Sequence, residues 1–148
     1  MPEKRTIERA RTAKRQGKSP STQAGEFVHE EIEHIREGQH GARSAKQAIA
    51  IGLSKARRAG VKLPPPPKSA SERTKRSAKR DSAKAGKTTK PSPARSRAAM
   101  KALKDEPKVA ASHEALSRHA KAAARRRPAK ARKAAAKKAA RTRARRDA

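Results

Sequence analysis

Residues 19–63 read SPSTQAGEFVHEEIEHIREGQHGARSAKQAIAIGLSKARRAGVKL. Nearly all the bulky apolar residues of the chain fall here: Phe27, Val28, Ile32, Ile35, Ile49, Ile51, Leu53, Val61 and Leu63. The spacing predicts two helices. The first covers residues 22–37, with Ser19 and Ser21 as available N-caps, Pro20 suited to a first helical position and Gly38 as a stop. At about 100° per residue, Val28, Ile32 and Ile35 share a stripe with Phe27 at its edge. Glu26, Glu30, Glu33 and Glu37 form a carboxylate ridge almost opposite, so the helix is amphipathic.

The second helix is predicted over residues 45–59. Ser44 and Gln47 make a Ser-x-x-Gln capping box. Ala45, Ile49, Gly52, Leu53 and Ala56 share one face, and Lys46, Ser54, Arg57 and Arg58 the other. Gly60 suits a left-handed C-cap with Val61 folding back on the last turn. The intervening GQHGAR, residues 38–43, leads to an antiparallel helical hairpin.

Three segments, SPSTQAGEFV, HIREGQHGARS and KQAIAIGLSKARRAGVKLPPP, resemble the shared block of a family of small basic bacterial proteins, a domain of unknown function. The resemblance spans residues 19–66. It implies a bacterial, cytosolic protein and lends neither an activity nor binding residues.

Charge divides the 148-residue chain unevenly. Residues 1–63 carry 14 basic and 7 acidic side chains, and residues 64–148 carry 28 and 6, so +22 of the net +29 lies after Leu63. A chain this charged, with Phe27 as its one aromatic, cannot bury a large core. The module of about 45 residues is near the size at which a lone core is marginal, so it should stand weakly alone or pool its apolar faces in a homodimer. There is no cysteine for disulfides or thiolate metal sites. No signal peptide or membrane-length apolar run is visible, which leads us to expect a cytoplasmic, nucleoid location.

The expected fold class is mainly α, a small helical hairpin module followed by a long, largely disordered basic tail. Residues 1–18 form a basic N-terminal arm, a solvated helix or a disordered segment. Residues 19–63 are the module, and Pro64–Pro67 a polyproline linker. Residues 68–148 are the tail, with transient helices after Ser96 and after Ser112, the latter carrying a Glu114–Arg118 pair and interrupted by Pro128. Residues 121–148 hold 13 Lys or Arg and 12 Ala. Alanine favours helix, while dense like charge opposes it in solution. In composition this tail resembles the lysine- and alanine-rich tails of linker histones and bacterial histone-like proteins.

These features point to non-specific nucleic-acid binding, with double-stranded DNA ahead of RNA because no aromatic stacking platform is available. The expected phosphate contacts are Arg125, Arg126, Arg127, Lys130, Arg132, Lys133, Lys137, Lys138, Arg141, Arg143, Arg145 and Arg146. The rival is a protein-interaction adaptor whose hairpin binds a partner while the tail localises it to polyanions. No catalytic constellation or cofactor motif is present. Glu26-x-x-His29, Glu31-x-x-His34 and Glu37-x-x-His40 match a metal-ligand spacing, but all lie in one segment, and we read them as a solvated acidic face. Gly86-Lys87-Thr88 lacks the upstream glycine of a phosphate loop, and His113-Glu114 with His119 lacks zinc-protease spacing. The six-residue connection is too long for a helix-turn-helix.

Overall fold

The computed structural model describes residues 2–87 and 92–146, with Arg146 described by its backbone alone. All regular structure among them is helical: α1 (Lys4–Arg15), α2 (Pro20–Arg36), α3 (Ala45–Arg58), α4 (Glu72–Ala83), α5 (Pro93–Lys104), a 3-10 turn (Lys108–Ala111), α6 (His113–Arg125) and α7 (Ala129–Arg146). The chain divides into two compact units, Met1–Ser112 and His113–Ala148.

This overturns the long disordered tail. Four α-helices occupy the region after the proline run. The helical character and the hairpin at its centre agree with the sequence. Ser19 caps α2 by accepting from the Thr22 amide at 3.3 Å, and Pro20 takes the first helical position. Gly38 ends it at φ +79, with the Gln39 amide donating back to the His34 carbonyl at 2.9 Å. Ser44 caps α3 through the Gln47 amide at 3.2 Å. The Gln47 side chain accepts from the Arg43 amide at 2.9 Å, one residue before the position a reciprocal box would use. Gly60 adopts φ +91, and the Val61 amide donates to the Ala56 carbonyl at 3.0 Å, folding Val61 onto the core.

The hairpin is covered on more sides than the sequence suggested. α1 packs on α2 and buries Thr6, Ala10 and Ala13, so the arm is a docked helix and not a solvated one. Phe27, Ala10, Ala24 and Ala56 form one apolar cluster with Ile7, Leu53, Val61 and Leu63 against it. α4 packs on α3, where Ser54 donates its hydroxyl to Asp81 at 2.7 Å and Ala78 is buried. The last turn of α5 and the segment after it return to the hairpin. The Gly41 amide donates to the Leu103 carbonyl at 2.7 Å, the Ala42 amide to Pro107 at 3.0 Å, and Arg36 Nε to Ala111 at 3.0 Å. Ala110 and Ala111 complete a second cluster with Ile35, Ala42 and Ala48. Residues read as tail thus supply core to the module.

Most of these contacts are made by alanine, so helices approach closely and little apolar area is buried per residue. A polar cluster fills part of the interior. Because α1 and α3 flank α2, its buried face takes in Phe27, Glu31 and Ile35, while Val28 and Ile32 of the expected stripe are half-buried. Glu31 is 1% exposed and Glu30 is 4% exposed. The expected solvated ridge is therefore broken at Glu30, which pairs with Lys55 Nζ at 3.4 Å and accepts from the Glu3 amide at 3.4 Å. Lys55 Nζ also stands 2.6 Å from Glu31 Oε2. The two charges are in contact, although the ammonium is not aligned to donate and that oxygen has no hydrogen-bond donor. Glu26 and Glu33 stay at the surface, paired with Arg9 at 3.8 Å and with His29 at 3.2 Å.

Candidate nucleic-acid interface

The second unit begins where Ser112 leads into α6. The Glu114–Arg118 pair forms at 2.5 Å, one turn apart on an exposed face. Pro128 has no amide to continue a helix, and α6 ends at Arg125. Single backbone bonds close the junction, Arg126 to Ala122 at 3.3 Å and Arg127 to Ala124 at 3.1 Å. α7 then starts at Ala129, with the Arg132 amide donating to the Pro128 carbonyl at 3.1 Å.

Alanine decides the outcome in α7. It is the strongest helix former. Like charges one turn apart, such as Lys133–Lys137 and Lys137–Arg141, oppose it by only some tenths of a kcal/mol each. Thr142 satisfies its hydroxyl locally by donating to the Lys138 carbonyl at 3.0 Å.

The expected phosphate-contacting residues lie together in this unit. Arg125 is the last residue of α6, Arg126 and Arg127 form the junction, and Lys130, Arg132, Lys133, Lys137, Lys138, Arg141, Arg143 and Arg145 are on α7, all exposed. Arg146 ends α7, and its side chain lies outside the described residues. With a step of about 100°, Lys130, Lys133, Lys137, Lys138, Arg141 and Arg145 line one side of the helix. Arg132 and Arg143 project from the other. α7 contains no acidic residue, and none of its cations forms an ion pair with a described residue. An 18-residue helix is about 27 Å long, at about 1.5 Å per residue. The 36-residue unit has 14 basic and 2 acidic side chains, a net +12, against +17 spread over the first 112 residues.

The same surface lacks the means to read bases by stacking. Phe27, the one aromatic of the chain, is 1% exposed inside the first unit. Among the described residues, no helix is long and apolar enough to cross a membrane.

The three Glu-x-x-His pairs have separate fates. Glu26 and His29 go to different surface partners, Arg9 and Glu33. Glu37 accepts from the Gln39 side chain in solvent, at 2.9 Å, while His40 turns inward to Glu31. Glu31, His34 and His40 converge, which the reading of a solvated acidic face missed. The signal that could have found them is Lys55: a lone lysine set among Ala48, Gly52 and Ala56 on the packing side of α3 needs a buried carboxylate. Of the weaker motifs, Thr88 of Gly86-Lys87-Thr88 lies outside the described residues.

Comparison with known proteins reaches only the first unit. No curated protein and no solved structure matches the chain. Residues 11–68, from within α1 to just past the proline run, match the model of a family of unknown function, DUF6496.

Proposed function

We propose that the chain binds nucleic acid without sequence preference, duplex DNA before RNA, through α7 and the Arg125–Arg127 junction. The role that fits is architectural, a histone-like or nucleoid-associated protein. One observation carries the reading: α7 is a pre-formed helix with exposed cations on both sides and no carboxylate among them. A rigid array of this kind places its charges against phosphates without first ordering the backbone, so less of the counterion-release free energy is offset by lost entropy. Cations on both sides suit a helix lying between two phosphate strands, as in a duplex groove about 12 Å wide. The absence of an exposed aromatic argues against single-strand readout by stacking.

The test is equilibrium binding of the full chain to two unrelated duplexes of about 30 base pairs, and to a single strand of one of them. Affinities in the micromolar range near physiological salt, within a few-fold for the two duplexes, are expected for non-specific phosphate binding. A preference of more than about 1,000-fold for one duplex would mark specific base readout and replace this reading. No binding at low salt would end it.

A further inference from the structure

We propose that Glu31, His34 and His40 form a binding site for a divalent transition-metal ion, with zinc as the best match to the donor set. Their ligand atoms all lie within 4.8 Å of one another. Glu31 and His34 are three apart on α2, hence on one side of the last turns. The left-handed Gly38 then reverses the chain and returns His40 to the same side. One helix end and its capping loop thus build the whole cluster.

The hydrogen bonds leave a gap that a cation fits. His40 Nδ1 lies 3.0 Å from the Gly41 carbonyl. A carbonyl only accepts, so Nδ1 carries the proton, and in the neutral ring Nε2 presents a lone pair. That lone pair faces Glu31 Oε1 at 3.3 Å, in an environment where His40 is 6% exposed and Glu31 is 1% exposed. Two acceptors in contact repel unless a cation or a proton lies between them. Ligand atoms on a tetrahedral ion with bonds of about 2.0–2.1 Å stand about 3.3 Å apart, which is the separation this pair already has.

The surroundings of the two rings are those of metal-bound histidines. Such rings pass their second nitrogen to a carbonyl or a carboxylate. His40 does so to Gly41, and His34 Nε2 meets Glu3 Oε1 at 3.2 Å, leaving Nδ1 of His34 as its donor to a metal. The rings stand edge to face with centroids 6.3 Å apart. The ligand atoms, within 4.8 Å of one another, close by up to about 1.5 Å to share one ion, and His34 is the more exposed of the two rings. Charge favours the same occupant. Glu30 and Glu31 share one lysine, Lys55, and Glu3 adds an exposed carboxylate at the rim. A divalent ion offsets this excess of negative charge. Lys55 Nζ lies against Oε2 of Glu31 and His40 against Oε1, so the ion takes Oε1, and the fourth position falls to water.

The rival occupant is a pair of protons on the imidazoles, and a zinc titration of the full chain followed by NMR of its five histidine rings separates the two. On the proposal, ring signals of His34 and His40 shift together and saturate at one equivalent, while those of His29, His113 and His119 stay in place. Cobalt in place of zinc gives the visible bands of tetrahedral coordination. His40→Gln, with helicity checked by circular dichroism, lowers zinc affinity at least about tenfold, and His29→Gln leaves it unchanged. The wild-type titration stands even where a variant fails to fold. Parallel shifts of all five rings, or no shift at millimolar zinc, overturns the proposal.

Discussion

Replacing Gly52 by alanine is expected to destabilise the first unit, although the same change at Gly25 is expected to stabilise it. Both glycines lie inside helices, where alanine is better by about 1 kcal/mol. Gly25 is exposed, and a Cβ there meets nothing within 4 Å, so the full propensity gain should appear. Gly52 is where α3 crosses α2. A Cβ there would stand 2.7 Å from Val28 Cα and 3.0 Å from the Phe27 carbonyl oxygen, backbone atoms that cannot rotate away. The two helices must separate, which loosens Phe27 and Ala56 and costs about 1–3 kcal/mol or more beyond the propensity gain. At about 3–6 °C per kcal/mol for a unit of this size, the melting temperatures of the two variants should move in opposite directions by several degrees. Thermal unfolding by circular dichroism checks it, and a shift of the same sign in both would mean that α2 and α3 do not cross at Gly52.

Neutralising one side of α7 should produce the larger functional effect. Lys130, Lys133, Lys137, Lys138, Arg141 and Arg145 replaced together by glutamine keep a helix former at every position. The variant should remain helical while its affinity for duplex DNA falls by at least about a hundredfold near 0.1 M salt, where each phosphate contact contributes close to tenfold. The control is an equal loss of charge from the first unit, with Lys4, Arg5, Arg11, Lys14, Arg15 and Lys46, all exposed, changed to glutamine. That variant should lose less than about tenfold, because its remaining helix α7 still meets the phosphates. Equal losses would mean that net charge alone drives binding and that α7 has no special part.

Local signals in the sequence were legible wherever one or two residues decide a conformation. Ser19 with Pro20, Ser44, Gly38 and Gly60 mark the hairpin because their caps depend on neighbours within one turn. Long-range docking was not. α4 buries only Ala78 and meets α3 through Asp81, so it shows no apolar periodicity and reads as linker. Pro107 and Ala111 join the core through backbone carbonyls, which any sequence supplies. The helical wheel placed Glu30 on a solvated ridge because it weighs one apolar stripe, whereas α2 is flanked by both α1 and α3. In α7, weighing charge repulsion above alanine propensity led to a disordered tail. The positions of the cations were readable, and the rigid helix that arrays them was not.

The central claim is that phosphates are held by the cations of α7, and the salt dependence of DNA affinity tests it most directly. Measured for the full chain and for the six-glutamine variant on one duplex, log K should fall linearly with log salt in both. With a slope of about −0.9 per phosphate contacted, the full chain should fall more steeply than about −7, and the variant should be shallower by about 5. Parallel lines for the two proteins would contradict the account.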